Sequence, residues 1–272
     1  MPKYVLIPKI LEPRESMNYR QKIPKIIWQT MKTSRIPVIM SDNANTWIGK
    51  NPEYEYRLFD DTDILNFIQK EFPAYLKAYK KIKYGASKAD LWRYLIIYKY
   101  GGVYADIDCR CIIPLREWIH PDAEIVTQLG INKDLCQWLI ISVPQNPIFL
   151  KAAQKSLQHI NNNICIAEYS GFEFQNEKLT IRKNEPLIKV NHKIMSLAGP
   201  PVLQMAAEDC LREGSIESIL QYTQVLCVSA KTSCQMNGNV THDSGNSEYK
   251  KALNMLNTRH YDGFISRMLR KF

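Results

Sequence analysis

ASKADLWRYLIIYKYGGVYADIDCRCII (86–113) reads as a helix, a glycine pair and a strand carrying two aspartates one residue apart. Along the helix, Ser87, Asp90 and Arg93 fall at i, i+3 and i+6, while Trp92, Leu95, Ile96 and Lys99 occupy another face. Gly101-Gly102 supplies a C-cap that stops it. VYADIDCRCII then reads as one strand or a pair, ended by Pro114. Asp106 and Asp108 emerge at the strand's C-terminal end, where open α/β sheets place ligands. Two carboxylates about 6–7 Å apart along a strand repel each other unless a cation or hydrogen-bond donors sit between them. A hard divalent ion, Mn²⁺ or Mg²⁺, is held by one or two such groups while substrate phosphates complete its shell. With only two acids clustered here, a metal–diphosphate complex fits better than a permanent metal site.

Outward from this stretch, strands alternate with helices. KIIWQT (25–30) and YEYRLF (54–59) read as strands, and SDNANTWIGKNP (41–52) between them as helix or loop. DDTDILNFIQKEF (60–72) opens with acids that suit a helix N-terminus, and FPAYLKAYKKI (72–82) follows as a second helix. EIVTQ (124–128) and CQWLIISV (136–143) give two more strands. NPIFLKAAQKSLQHI (146–160) is a helix with Pro147 near its start, and GPPVLQMAAEDCLRE (199–213) a helix opened by prolines. QVLCVS (224–229) reads as a strand, SEYKKALNMLN (247–257) as a closing helix, 163–195 as a hairpin-rich insertion and 1–22 as an extended arm. This order predicts one α/β domain with a mainly parallel central sheet flanked by helices.

Composition narrows the function classes. The 272 residues can bury a substantial core, and 45% apolar with 23% charged residues is globular rather than disordered. The most apolar stretch, LWRYLIIYKY, carries Arg93 and Lys99, so no membrane span is expected, and MPKYVLIPKILEPRES has no signal-peptide pattern. Seven scattered cysteines argue for buried thiols in a reducing compartment rather than a disulfide framework. The expected location is the cytoplasm or a cytoplasmic membrane face. Cys109 and Cys111 share one side of a strand, but without a CxxC or paired His they read as core. The net charge of +9 favours anionic partners, with lysines concentrated in KAYKKIKYGASK (77–88) and a basic tail. No nucleic-acid motif accompanies them, so nucleic acid is not an expected partner.

A second DxD, Asp61-Thr62-Asp63, opens a helix, where acids serve as caps; it reads as structural. An Asp90–Arg93 pair could be an ordinary intrahelical surface contact, yet a helix this apolar belongs in a core, and a buried polar face needs partners.

IPKIIWQTMK, NPEYEYRLFDD and above all ASKADLWRYLIIYKYGGVYADIDC resemble the glycosyltransferase family whose sugar-binding region contains a DXD motif. That family includes fungal outer-chain α-mannosyltransferases, with clostridial glucosylating toxins as distant relatives. The resemblance is dense over 23–145 and thins to AGPPVL (198–203) and THDSGNS (241–247). It implies a glycosyltransferase A-type, Rossmann-like domain over 23–272, with a nucleotide-sugar-binding half (23–145) and an acceptor-side half (146–272). It further implies a nucleotide-sugar donor, Mn²⁺ or Mg²⁺, a glycan, lipid-linked or protein acceptor, and retention of the anomeric configuration.

The same resemblance assigns residues. Asp108 would be the principal metal ligand, with Asp106 beside it on the ribose or sugar. Asp90 and Arg93 would hold the donor's hydroxyls and phosphate. Trp28, next to Gln29, stands where the toxin branch stacks a tryptophan on uracil and the mannosyltransferase branch has His, which favours a UDP-sugar over GDP-mannose. His242 would approach the metal or diphosphate, and Ser244, Gly245, Asn246 and Ser247 the phosphates. The family's trailing Trp is absent, with Tyr249 nearby. Gln137 and Trp138 would line the reacting face of the sugar. Two other readings of the same residues stand beside this one. A haloacid-dehalogenase-type phosphohydrolase would use Asp106 as nucleophile and Asp108 as acid/base, although its motif normally sits on the first strand. A basic module docking peripherally on a membrane or glycan would use 77–88 and the tail.

Overall fold

The computed structural model describes residues 4–111, 113–117, 119–128, 134–175, 178–183, 185–215, 223–226 and 234–236. The chain opens with two short strands, β1 (Tyr4–Leu6) and β2 (Ile10–Leu11), followed by β3 (Ile26–Thr30) and β4 (Arg35–Pro37). Helix α1 (Val38–Lys50), strand β5 (Glu55–Phe59) and helices α2 (Asp61–Glu71), α3 (Pro73–Lys81) and α4 (Gly85–Tyr100) come next. The strand predicted after the glycines is a pair, β6 (Gly102–Ala105) and β7 (Cys109–Cys111), with the DxD in the turn between them. Strands β8 (Ile125–Gln128) and β9 (Leu139–Ser142) lead into α5 (Pro147–Asn162). The 163–195 region forms β10 (Ile166–Tyr169), β11 (Phe172–Gln175), β12 (Lys178–Ile181) and β13 (Ile188–Asn191): β11 pairs with β12 and β10 with β13, one hairpin nested in another. Helices α6 (Lys193–Ala198) and α7 (Pro200–Arg212) and strands β14 (Thr223–Leu226) and β15 (Cys234–Met236) complete the described chain.

The central sheet has seven strands in the order β14-β8-β9-β6-β3-β5-β2. β3 is parallel to β5 and β6, and β14 to β8, while β9 is antiparallel to both its neighbours and β2 to β5. Five strands therefore run one way and β9 and β2 the other, a mainly parallel α/β sheet. The arm joins it: Ile10 and Leu11 pair with Arg57 and Tyr56 at one edge.

Alternation along each strand divides the core in two. Ile27, Val103, Ala105 and Ile141 face one layer with Trp47 of α1; Trp28, Tyr104 and Ile140 face the other with α2 to α5 and α7. Helix α4 is sandwiched between the sheet and helices α5 and α6, so residues Leu91 to Ile97 are all buried. Its charged pair therefore lies in the core, not on the surface.

The chain reverses from α4 into β6 through Gly101 at φ +64° and Gly102 at φ +93°. A Cβ on Gly102 would stand 2.5 Å from Ile26 Cγ2 and 2.7 Å from the Ile26 carbonyl oxygen, so β3 can lie against β6 only because nothing is there. Gly102→Ala combines this overlap with left-handed backbone strain and should lower stability by about 3 kcal/mol. A shifted urea midpoint at unchanged slope would register the loss.

Candidate active site

Because α4 runs antiparallel to β6, Arg93 comes level with the residue just past the end of β6, Asp106. Its Nη2 stands 3.1 Å from Asp90 Oδ1 and 3.1 Å from Asp106 Oδ1, and its Nη1 donates to the Gln137 carbonyl at 2.7 Å. Gln137 uses its amide at both ends: Nε2 donates to Asp90 Oδ1 at 2.9 Å, and Oε1 accepts from the Tyr94 hydroxyl at 2.6 Å. Tyr104 donates to Asp106 Oδ1 and lays its ring against the Arg93 guanidinium, 4.5 Å from centroid to Cζ. Asp90, Arg93 and Gln137 are buried, whereas the Asp106 side chain keeps 26% exposure. In this network only Asp106 combines the Arg93 contact with a face open to solvent.

The backbone of the DxD turn is held from both sides. Asp106 N–H donates to the Trp138 carbonyl, and Gln29 Nε2, whose Oε1 accepts from Tyr56, donates to the Asp106 carbonyl. From α1, Asn43 donates to the Asp108 carbonyl at 3.1 Å, Trp47 Nε1 donates to the Cys109 carbonyl at 3.0 Å, and Thr46 Oγ1 accepts from the Cys111 amide. Gln29 thus positions Asp106, and Asn43, Thr46 and Trp47 do the same for the turn and β7.

Charge decides what the turn can bind. Three carboxylates, Asp90, Asp106 and Asp108, share the single guanidinium of Arg93, which contacts the first two. Fully ionised, the cluster carries two uncompensated negative charges. Burial, and then the Asp106 charge, push Asp108 up to about 7 against the opposing pull of its own amide and of Arg93. Asp90 is pushed up to about 7 by burial and by Asp106, while Arg93 and Gln137 pull it down. Burial works against the Arg93 charge, but Asp106, Tyr104 and Asp90 outweigh it and raise its pKa. Two close, partly accessible carboxylates with a deficit of positive charge suit a divalent cation in hard oxygen ligands. Among the described residues no group of three His, Cys, Asp or Glu could hold a metal ion. Asp106 and Asp108 would be its protein ligands, and the remaining oxygens would come from elsewhere.

The structure thus brings together Asp90, Arg93, Asp106, Asp108, Gln137 and, through the backbone, Gln29. Gln137 is buried with its amide spent inside the network, so it braces Asp90 rather than lining an open face as the sequence led us to expect. Trp28 also departs from expectation. Its indole is 2% exposed and stacks on Tyr100, and Nε1 donates to the Gly101 carbonyl at 2.9 Å, at the other end of β6 from the DxD. It lines a groove of about 680 Å³ with Tyr100, Arg57 and Phe67, to which none of Asp90, Arg93, Asp106 and Asp108 contributes. We expect Trp28→Phe to lower the unfolding free energy by about 1–2 kcal/mol through the lost hydrogen bond and ring volume; an unchanged denaturation midpoint would contradict this placement. His242, Ser244, Gly245, Asn246 and Ser247 lie outside the described residues. Sequence reading missed Tyr104, although it shares a strand face with Asp106 two residues on, and it missed Asn43, Thr46 and Trp47. The other DxD opens α2: its Asp63 accepts from the Asp60 amide, completing a capping box in which Asp60, just before the motif, accepts from the Thr62 and Asp63 amides.

Comparisons with known proteins find similar chains. Residues 37–124, which include α1, α4 and the DxD turn, match the family described as glycosyltransferase sugar-binding region containing DXD motif. The chain is 38% identical over 141 residues to a mannosyl phosphorylinositol ceramide synthase of Saccharomyces cerevisiae, covering 51% of this chain and 36% of that one. It is 40% identical over 103 residues to inositol phosphoceramide mannosyltransferase 3 of Schizosaccharomyces pombe, covering 38% and 29%. It is 28% identical over 177 residues to an initiation-specific α-1,6-mannosyltransferase of Candida albicans, covering 52% and 46%. The chain thus spans less than half the length of these curated relatives. A solved structure, the PaToxG glycosyltransferase, aligns with a TM-score of 0.47 and 17% identity over 74% of this chain and 73% of that one. Within 37–124, the stretch that carries the DxD turn, the chain is thus similar to glycosyltransferases whose sugar-binding region contains a DXD motif.

Proposed function

We propose that this protein is a metal-dependent hexosyltransferase that moves a sugar from a nucleotide-linked donor to a hydroxyl of a glycan or lipid-linked acceptor. The observation that carries the reading is the charge deficit at the DxD turn, where three carboxylates face one guanidinium. Bound there, Mn²⁺ or Mg²⁺ would draw off charge from the donor diphosphate as it leaves. The chain's own residues do the rest. Arg93 and Tyr104 orient the Asp106 carboxylate, Gln29 and Asn43 fix the carbonyls of the turn, and Asp90 with Gln137 holds Arg93 in place.

The curated relatives carry mannosyl transfer in their names, which supports mannose as the transferred sugar. The ground for a uridine donor was Trp28, whose indole is committed to Gly101 and Tyr100. Donor binding belongs to the 23–145 half and acceptor binding to the 146–272 half in this reading, within a glycosyltransferase A-type domain. Retention follows if the acceptor hydroxyl enters on the face the diphosphate leaves and passes its proton to the departing phosphate oxygen, so that no strong protein base is needed. The reading includes acceptors carried on a membrane, to which the protein would attach peripherally; among the described residues no helix is long and apolar enough to cross one. The test is turnover of GDP-mannose and UDP-hexoses with Mn²⁺, then with excess EDTA. Loss of turnover in EDTA and recovery on adding Mn²⁺ is expected; metal-independent turnover would contradict the reading. A phosphohydrolase would instead release phosphate from a generic aryl phosphate, a result that would favour that alternative.

A further inference from the structure

Residues 72–89 hold five lysines and no aspartate or glutamate. Four of the five, Lys77, Lys80, Lys81 and Lys83, are exposed on α3 and the turn that follows it. Among the described residues, none of the five has a carboxylate within ion-pair distance. Lys81 reaches only the neutral Asn161 side chain, at 3.2 Å, and Lys88 lies 5.3 Å over the Tyr79 ring. The contrast with neighbouring α5 is sharp, since Lys151 and Lys155 there are paired with Glu213 and Asp209. Lys88 and Lys32 both act on Asp61, favouring its charged form.

The strip has a definite place in the fold. Helix α4 meets β6 through the tight Gly101–Gly102 reversal, and its Arg93 is level with Asp106. Residues 85 to 88 then lie about 8–12 Å farther along the helix axis, beyond the end of the sheet that carries the DxD turn. Lys88 is there, within electrostatic reach of Asp61, which follows β5. The lysine strip and the DxD turn are therefore on the same end of the molecule.

We infer that α3 and the α3–α4 turn form a docking surface for an anionic lipid bilayer, with the DxD end of the sheet turned toward it. The charges stand on the outside of a helix and turn, a convex surface suited to an extended plane of charge. All five are lysines, point charges without the guanidinium fork that reads individual phosphates. Such a strip is attracted by the diffuse field of an anionic leaflet and is screened by salt. This deepens the transferase reading by naming the surface that presents the acceptor, but vesicle binding needs neither donor nor turnover, so either can fail alone.

The experiment is co-sedimentation of the full chain with phosphatidylcholine vesicles, with and without about one-third phosphatidylserine. Binding to the anionic vesicles only, lost at about 0.5 M salt, is expected. Lys77→Gln/Lys80→Gln/Lys83→Gln should weaken partitioning by about a hundredfold, near fivefold per lysine. The matched control Arg20→Gln/Lys50→Gln/Lys183→Gln removes the same charge from other exposed positions and should cost less than about a third as much in fold-change. Circular dichroism checks that both variants are folded. Equal binding to neutral vesicles, no binding, or equal losses in the two variants would each overturn the proposal; preference for a polyanion such as heparin over the vesicles would do so as well.

Discussion

Asp108→Asn should reduce sugar transfer by about a thousandfold while the fold survives. The substitution keeps the side chain's size, and the Asp108 carbonyl still accepts from Asn43. It removes a carboxylate that burial and the Asp106 charge already disfavour, so folding should be little changed or slightly improved. What it takes away is half of the charge deficit for which we propose a divalent ion. Removing a group aimed at charge that develops in a transition state typically costs ~10²–10³ in rate, and loss of a metal ligand belongs at the upper end. Asp106→Asn should reduce transfer less steeply in metal affinity, because its Oδ1 is already engaged by Arg93 and Tyr104. Full activity in Asp108→Asn, with the melting temperature unchanged, would remove the turn from the mechanism.

Arg93→Met should be the most destabilising change in the site. Its guanidinium touches Asp90, Asp106 and the Gln137 carbonyl from a position 5% exposed. Removing it strands the buried Asp90 beside Asp106, and breaking a buried charge pair from one side costs about 3–5 kcal/mol. Arg93→Lys should recover part of that at most, since an ammonium cannot reach three acceptors in the same planar arrangement. Adding Asp90→Asn to Arg93→Met removes the stranded charge and should return about half of the loss, a coupling that a double-mutant cycle reads directly. Additive costs would mean that the two side chains do not sense each other.

The helix–glycine–glycine–strand order was legible because each piece has a local cause. Apolar residues at helical spacing built α4, and only glycine could pass Ile26 at position 102. The mainly parallel sheet followed from strand–helix alternation, and the order of helix, glycines and strand put Asp106 and Asp108 at the strand end. The two-faced reading of α4 was less accurate, because periodicity cannot reveal that a helix is covered on every side by the sheet, α5 and α6. That burial is what turns Asp90–Arg93 from a surface pair into the core of the site. Trp28 was misplaced for a similar reason. Its identity suits a stacking platform or a core, and only the nearby Gly101 carbonyl and Tyr100 ring decide between them. The supports from α1 were invisible in principle, since Asn43 and Asp108 are 65 residues apart. The late motif THDSGNS lies outside the described residues, so its role rests on resemblance alone.

The most direct measurement is calorimetric titration of GDP-mannose, with UDP-glucose as the second donor, into the protein in Mn²⁺ and in EDTA, for the wild-type chain and Asp108→Asn. Saturable binding of a donor that requires Mn²⁺ and is weakened at least about tenfold in the variant is the expected result. Donor binding of equal strength in EDTA, or in Asp108→Asn with Mn²⁺ present, would contradict it.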